Sequence, residues 1–286
     1  TRYQTGLGAN CGIVICNWEK PSRALWPEHS DQSTLDVARE VIMRSFIHAL
    51  TFLLLVGLFT ATTANAGQAD RTDINMVIAL DRSESIDTTE RDAQIDALIF
   101  VLTNDRFLTA AISGRHRKIG ISVFGWSSFE RTEQILPWML IGGREDAEWA
   151  VRRLKWHQAH DSDVHHGPQT DIALAIATGV KMLKDAPFFG AKQVINVVSD
   201  GIDNFGRVAL IDRNLALDQG IVINGLVQAR NSAIEVVTRF FKRQVIGGPT
   251  SFVQATNTHQ SFAQAMLRKM TVEIALLSGL APDPGT

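Results

Sequence analysis

Short apolar runs alternate with amphipathic stretches from residue 73 onward. Runs such as MVIAL (76–80), VINVV (194–198) and IVINGLV (221–227) are apolar at nearly every position, as strands buried on both faces are. The alternation of such runs with stretches of helical period predicts a parallel sheet covered by helices. The predicted strands are 75–80, 118–124, 133–140, 193–198, 221–227 and 251–254. The predicted helices are 89–102, 144–156, 171–185, 208–219, 233–244 and 260–277.

These elements predict one doubly wound, Rossmann-like α/β domain with helices on both faces of a central sheet. We expect a mainly parallel sheet in which strand 133–140 is an antiparallel edge strand. The last predicted helix has one apolar stripe with a spacing of four residues, formed by Phe262, Met266, Met270 and Ile274. Charged side chains interrupt this stripe, among them Lys269 and Glu273. We therefore expect the stripe to close the core rather than to enter a membrane.

Residues 43–66, MRSFIHALTFLLLVGLFTATTANA, have the pattern of a secretory signal peptide. Arg44 precedes an apolar stretch, and small residues end at Ala66, after which we expect cleavage. A transmembrane anchor is the alternative, but the apolar stretch is shorter than the roughly 20 residues that span a bilayer. We therefore expect an exported protein, periplasmic or extracellular, with no membrane span after cleavage. Residues 1–42 are interpreted as an upstream extension that is not native, and residues 67–286 as the folded domain.

The composition narrows the classes of function. Of 286 residues, 45% are hydrophobic and 20% are charged, and 28 basic side chains against 30 acidic ones give a net charge of -2. This balance is typical of a globular protein and lacks the basic excess of most nucleic-acid binders, so we expect no nucleic-acid partner. Both cysteines, Cys11 and Cys16, precede the predicted domain. We therefore expect the domain to fold without a disulfide or a thiolate metal site.

Hydroxyl and carboxylate side chains border three of the predicted elements. The segment DRSES (81–85) follows the first strand, GPQTD (167–171) opens a helix and SDGIDN (199–204) follows a later strand. In open parallel sheets, ligands bind at the carboxyl ends of the strands, and oxygen ligands without His or Cys suit Mg²⁺, Mn²⁺ or Ca²⁺. Taken singly, each segment also fits a turn or a helix cap, for example Thr170 as an N-cap. Taken together, the candidate metal ligands are Asp81, Ser83, Ser85, Thr170 and Asp200.

These five residues resemble the metal-ion-dependent adhesion site (MIDAS) of the von Willebrand factor A-type (VWA) domain. That site combines an Asp-x-Ser-x-Ser loop after the first strand, a distant Thr and a late Asp. The resemblance covers residues 73–278, and the chain is similar to an uncharacterised bacterial exported branch of the family. It implies that Ser83, Ser85 and Thr170 contact the metal, while Asp81 and Asp200 act directly or through water.

The resemblance also implies a function. It points to an exported protein-binding module of the adhesion type that holds Mg²⁺, or else Mn²⁺ or Ca²⁺, and whose protein partner offers a carboxylate to the metal. Arg82 and Glu84 occupy the variable positions of the loop, which implies a role in partner choice. A shift of the last helix accompanies high affinity in related domains, and the sequence is compatible with a moving or a rigid helix 260–277. A structural subunit of an envelope assembly is the main alternative.

An enzyme is a further alternative. A Mg²⁺-dependent phosphohydrolase of the haloacid-dehalogenase type also places an Asp after its first strand, and its remaining groups have candidates in Thr170, Lys192, Asp200 and Asp203. Its mechanism needs a second carboxylate two residues after the nucleophile, where this chain has Ser83. We therefore expect no catalysis.

The segment 157–166 contains four of the eight histidines. His157 and His160, three residues apart, can share a helix face, and zinc would accept them together with an aspartate. A solvated loop rich in His and Asp beside the main site is the simpler interpretation, and it is the one we expect.

Overall fold

The structure, a computed structural model, describes residues 39–41, 43–45, 48, 70–161, 167–229, 233–257 and 259–279. The chain forms two compact units, Thr1–Ala66 and Gly67–Thr286. The interpretations of residues 1–42 and 43–66 fall almost entirely outside the described residues and stay predictions. Within the described part, no helix combines the length and the apolar character that crossing a membrane requires.

A six-stranded sheet forms the centre of the second unit, with the strand order β3-β2-β1-β4-β5-β6. Its strands are β1 Arg71–Asp81, β2 Ile119–Trp126, β3 Thr132–Ile141, β4 Phe189–Ser199, β5 Val222–Gln228 and β6 Val253–Thr256. Only β3, at one edge, runs antiparallel to its neighbour in this sheet. The mainly parallel sheet with one antiparallel edge strand is therefore confirmed.

Helices cover both faces of this sheet. They are α1 Thr88–Thr103, α2 Asp105–Ala111, α3 Arg144–His160, α4 Ile172–Lys184, α5 Ala209–Asp218, α6 Ala233–Phe240 and α7 His259–Leu277. Alternate residues of β1 face opposite clusters: Met76 and Ile78 contact the cluster that includes residues of α1, α2, α3 and α7, while Val77 and Ala79 contact the one that includes α4, α5 and α6. The predicted stripe of α7 lies in the first cluster, where it closes the core.

Two local features were not predicted. Asn104 ends α1 and at the same time caps α2, because its side-chain oxygen accepts a hydrogen bond of 3.0 Å from the N–H of Arg106. This cap allows α2 to begin with only Asn104 between it and the end of α1. The predicted helix 233–244 ends at Phe240 and continues as a π-helical turn, Phe241–Val245, closed by the bond from the Ile246 N–H to the Phe241 carbonyl.

The last helix carries a buried polar network that its apolar stripe does not predict. Lys269 and Glu273, one turn apart on α7, are 2% and 1% exposed. The Glu273 carboxylate accepts hydrogen bonds from the amides of Asn196 on β4, at 2.9 Å, and Asn224 on β5. Lys269 pairs with Glu273 at 3.2 Å and donates to the Asn196 side chain. The charges that interrupt the stripe therefore face the sheet, where the four side chains satisfy one another.

Candidate metal-binding site

Asp81 is the last residue of β1, and its side chain is completely buried. Its Oδ1 accepts a hydrogen bond of 2.8 Å from the backbone N–H of Ser83, and its Oδ2 accepts one of 2.5 Å from the hydroxyl of Ser199. Helix α1 begins soon afterwards with a capping box between Asp87 and Glu90. The loop between β1 and α1 is therefore fixed at both ends.

Three hydroxyl oxygens and a carboxylate oxygen meet beside Asp81. The Oγ of Ser83 lies 3.1 Å from the Oγ of Ser85 and 3.3 Å from the Oγ1 of Thr170. The hydroxyl of Ser85 donates a hydrogen bond of 3.0 Å to the Oδ1 of Asp200. The structure thus brings all the side chains predicted from the sequence together at the carboxyl ends of β1 and β4.

The backbone of Thr170 is held by Asn204, in the loop after β4. The N–H of Thr170 donates to the Asn204 Oδ1 at 2.8 Å, and the N–H of Asn204 donates to the Thr170 carbonyl at 3.1 Å. The N-cap of α4 is Asp171, whose carboxylate accepts a hydrogen bond of 2.9 Å from Leu174. Thr170 is therefore not the N-cap of α4, although its position in the sequence allowed that role. Its hydroxyl contacts Ser83 instead.

The electrostatics of the site favour a positive ion. The pKa of Asp81 is raised to about 6, with burial as the main cause; the hydrogen bond from Ser199 opposes the rise, and the negative charge of Asp200 contributes to it. Two carboxylates of like charge thus lie close together, bridged by neutral hydroxyls. A cation between them would lower the pKa of Asp81 and offset the repulsion.

The spacing of the oxygens also fits a small divalent cation. Oxygens at about 2.1 Å from an octahedral Mg²⁺ lie roughly 3.0 Å apart. The contacts among Ser83, Ser85, Thr170 and Asp200 span 3.0 to 3.3 Å. All the donors are oxygens, which are the ligands that Mg²⁺, Mn²⁺ and Ca²⁺ prefer.

Comparison with protein families matches residues 71–278 to DUF1194, which is described as a protein of unknown function. The chain belongs to the DUF1194 family. No curated protein matches the DUF1194 chain.

Solved structures give the fold of this DUF1194 domain. The pilus adhesin SpaC from Lactobacillus rhamnosus GG, in its open conformation, is similar with a TM-score of 0.52 and 14% identity over 72% of this chain and 30% of that chain. Proximal thread matrix protein 1 from the mussel byssus, with a zinc-occupied MIDAS motif, is similar with a TM-score of 0.47 and 16% identity over 72% of this chain and 48% of that chain. This chain therefore spans less than half the length of either protein. The fold is an α/β fold of the VWA type, as the sequence predicted.

Arg82 of this DUF1194 domain does not face a partner. Its side chain is 1% exposed, and its Nε lies 3.4 Å from the Oε1 of Glu133 on β3. Burial lowers the pKa of Arg82, and the charges of Glu133 and Asp161 oppose this effect. The role in partner choice implied for Arg82 is therefore wrong, because the side chain is directed into the protein. Glu84, by contrast, is exposed.

A second group of potential metal ligands lies beside Arg82. Its ligand atoms are within 4.8 Å of one another and belong to Glu133, His157 and Asp161. The Nε of Arg82 lies 3.4 Å from the Oε1 of Glu133, and the Nε of Arg91 lies 4.0 Å from the Oδ2 of Asp161. Two arginines thus already balance the two carboxylates, and a divalent cation would add excess positive charge. His160 stacks on Trp156 and is not part of this group, which argues against a zinc site that uses both histidines.

Several side chains that position the site were missed by the sequence analysis. Ser199 and Asn204, which hold Asp81 and Thr170, both belong to the SDGIDN segment, so their proximity to Asp200 was the available signal. Ser127 and Ser128, in the loop after β2, are buried and accept hydrogen bonds from the N–H groups of residues 167 and 169, at 2.8 and 3.1 Å. These contacts join segments about 40 residues apart and carry no local sequence signal.

Proposed function

We propose that this chain is an exported, divalent-metal-dependent protein-binding module of the adhesion type. In this proposal Asp81, Ser83, Ser85, Thr170 and Asp200 hold the ion. The observation that carries it is the convergence of side-chain oxygens beside Asp81. Contacts of 3.0 to 3.3 Å join Ser83, Ser85, Thr170 and Asp200, which come from three separate loops. The signal-peptide pattern of residues 43–66 supports export.

Each group of the chain has a distinct part in this proposal. A bound divalent ion would supply a positive charge to which a carboxylate of the partner protein can bind. The hydroxyls of Ser83, Ser85 and Thr170 are neutral, so they hold a cation without cancelling its charge. The two carboxylates, Asp81 and Asp200, match the formal charge of the ion, and an octahedral Mg²⁺ usually keeps several water ligands that another group can replace. Affinity for an anionic partner group follows from these exchangeable positions, and the metal and the partner are expected to strengthen each other's binding.

Mg²⁺ is the proposed ion, with Mn²⁺ and Ca²⁺ as alternatives. The oxygen contacts are close to the spacing of roughly 3.0 Å expected around octahedral Mg²⁺. Ca²⁺ prefers more ligands at longer distances, which would require the loops to separate.

The proposal includes no catalysis. A phosphohydrolase would need a carboxylate in place of Ser83, as well as a lysine near the metal. Lys192 lies near the start of β4, eight residues before Asp200, which corresponds to roughly 26 Å of extended strand. Both observations favour binding over phosphoryl transfer.

The proposal is tested by calorimetric titration of the chelator-treated full chain with MgCl₂, MnCl₂ and CaCl₂. We expect one site of modest affinity, which Asp81→Asn abolishes. Asp185→Asn is the matched control. Asp185 is the C-cap of α4, at the end of the helix opposite to Thr170, and it is 59% exposed. Among the contacts described, its carboxylate pairs only with Lys181 on α4. Failure of every ion to bind, or equal binding by the Asp81→Asn variant, would contradict the proposal. A partner is then sought by affinity capture from an envelope extract with Mg²⁺ and, in parallel, with chelator.

A further inference from the structure

Two phenylalanines from different loops contact each other at the edge that carries the metal-binding oxygens. Phe129 follows β2 and Phe205 follows β4, and their ring centroids are 4.8 Å apart in an edge-to-face arrangement. Phe129 is 59% exposed, and Ile202, in the same loop as Phe205, is 42% exposed. We call these three side chains, Phe129, Ile202 and Phe205, the apolar rim.

Hydrogen bonds place the apolar rim next to the metal-binding residues. Phe205 directly follows Asn204, which is bonded twice to the backbone of Thr170. Phe129 directly follows Ser128, whose hydroxyl accepts a bond of 3.1 Å from the N–H of Gln169. Ile202 is two residues after Asp200. Each member of the rim is therefore one or two residues away from a metal-binding side chain or from a residue bonded to the Thr170 segment.

The backbone holds Phe129 in an unusual conformation. Phe129 and Glu130 both have a φ of 59°, in the left-handed region that bulky residues rarely adopt. The bonds from Ser127 N–H to the Arg131 carbonyl, 3.1 Å, and from Arg131 N–H to the Ser128 carbonyl, 3.3 Å, close this turn. Strained conformations of this kind persist when the surrounding structure enforces them, and they cluster at binding sites. The turn presents an aromatic ring to solvent at the edge where a ligand of the metal would arrive.

We propose that the apolar rim is a second contact for the partner, and that the partner segment carries a large aliphatic or aromatic side chain one or two residues from the carboxylate bound by the metal. This inference rests on the proposed function. Neighbouring residues of an extended segment are about 3.3 Å apart, so a residue next to the acid reaches a surface that begins two residues from Asp200. Burial of the apolar side chain on the rim adds affinity that a carboxylate alone lacks. The rim thereby selects among acidic segments, which the metal cannot distinguish.

The test uses synthetic peptides as probes and the full chain in Mg²⁺. Each peptide has one Glu in a Gly-Ser background. One further position, one or two residues before or after the Glu, carries Leu, Phe or Ser. Binding is measured by fluorescence anisotropy with and without chelator. We expect the best Leu or Phe peptide to bind about tenfold more tightly than its Ser counterpart, the scale of burying part of one apolar side chain. The Phe129→Ser variant should reduce this ratio to about twofold or less and leave Mn²⁺ affinity unchanged. Phe189→Ser is the matched control, because Phe189 is 69% exposed at the start of β4, and it should keep the full ratio.

The outcomes separate this inference from the proposed function. Binding that chelator abolishes, but with equal affinity for Leu, Phe and Ser peptides, overturns the role of the rim and leaves the metal site in place. A preference for apolar peptides that Phe129→Ser does not change overturns it as well. The absence of any chelator-sensitive peptide binding also overturns the role of the rim, and the calorimetric titration with metal ions then decides whether the metal site fails with it.

Discussion

Two regions of this domain place buried carboxylates beside the central sheet. The regions differ in the charges that surround those carboxylates. Under α7, Glu273 is matched by Lys269 on the same helix and by the amides of Asn196 and Asn224. At the carboxyl ends of β1 and β4, Asp81 is bonded to a hydroxyl and a backbone N–H, and its neighbouring charge, Asp200, has the same sign. The first region pairs its charges within the chain, whereas we expect the second to gain stability from a bound cation.

The difference distinguishes a structural polar network from the candidate metal-binding site. A buried charge that its own chain neutralises contributes to a specific fold, and its loss leaves an uncompensated partner. Two neighbouring carboxylates of like charge make the folded state sensitive to a cation that binds between them. Burial lowers the pKa of Lys269, and the charge of Glu273 opposes this effect, as a closed ion pair requires. The pKa of Asp81 is raised to about 6, mainly by burial and in part by the negative charge of Asp200.

The largest expected effect comes from breaking the closed region. Lys269→Met leaves Glu273 as a buried charge without its cation, which should lower the free energy of unfolding by about 3 to 5 kcal/mol. Urea unfolding followed by circular dichroism measures this loss. Arg268→Met is the matched control on the exposed side of α7 and should change stability by less than about 0.5 kcal/mol. Equal losses in the two variants would show that the network does not hold the helix.

The next effect concerns the region where we propose that a cation binds. Mg²⁺ at 100 times its Kd should raise the free energy of unfolding of the wild-type chain by about 2.7 kcal/mol, because it binds only the folded state. Asp81→Asn should abolish this increment, while Lys269→Met, measured where it is still folded, should keep it. Urea unfolding with Mg²⁺ and with chelator compares the three chains. An increment that survives in Asp81→Asn would mean that the ion binds elsewhere.

A smaller effect is expected from removing one neutral ligand. Thr170→Ala deletes a hydroxyl that lies 3.3 Å from Ser83 Oγ and leaves both carboxylates in place. Metal affinity should fall about tenfold, equivalent to about 1.4 kcal/mol, as measured by Mn²⁺ titration. Thr103→Ala, at the exposed end of α1, is the control and should bind the ion as the wild type does. Undiminished affinity in Thr170→Ala would remove Thr170 from the ligand set.

The sequence predicted these two regions unequally. The segments DRSES, GPQTD and SDGIDN border predicted elements, and the topology of a parallel sheet brings the ends of its strands together, so the proximity of the candidate metal ligands could be predicted from the pattern. The network under α7 could not be predicted, because Lys269 and Glu273 look like interruptions of an apolar stripe. The amides that bond to Glu273 belong to Asn196 and Asn224, which lie 77 and 49 residues away in the sequence. Long-range polar pairing has no periodicity that a sequence reveals.

The strands were located more accurately than the local departures from regular structure. All the strands of the sheet were predicted within a few residues, since continuous apolar runs mark strands buried on both faces. Helix α2 was missed because a single residue, Asn104, both ends one helix and begins the next. Arg82 was misassigned because its position in the loop favours exposure, while its side chain is drawn inward to Glu133.

The smallest effect tests whether the two regions are coupled through α7. If this helix moves when a partner binds, Lys269 and Glu273 must separate from Asn196 and Asn224, and each group would lose its buried partners. We therefore expect a helix that stays in place.

Ile274→Val tests this expectation. The substitution loosens the packing of α7, where Ile274 is 1% exposed, and should lower the free energy of unfolding by about 1 kcal/mol. Mn²⁺ affinity and the binding of acidic peptides should stay within about twofold of the wild type, because a site that is not linked to the helix does not respond to its packing. Val272→Ala, at an exposed position of α7, gives the baseline for substitutions on this helix. Tighter binding by Ile274→Val alone would show instead that the helix position and ligand affinity are linked, since any change that favours the shifted helix must then raise the affinity.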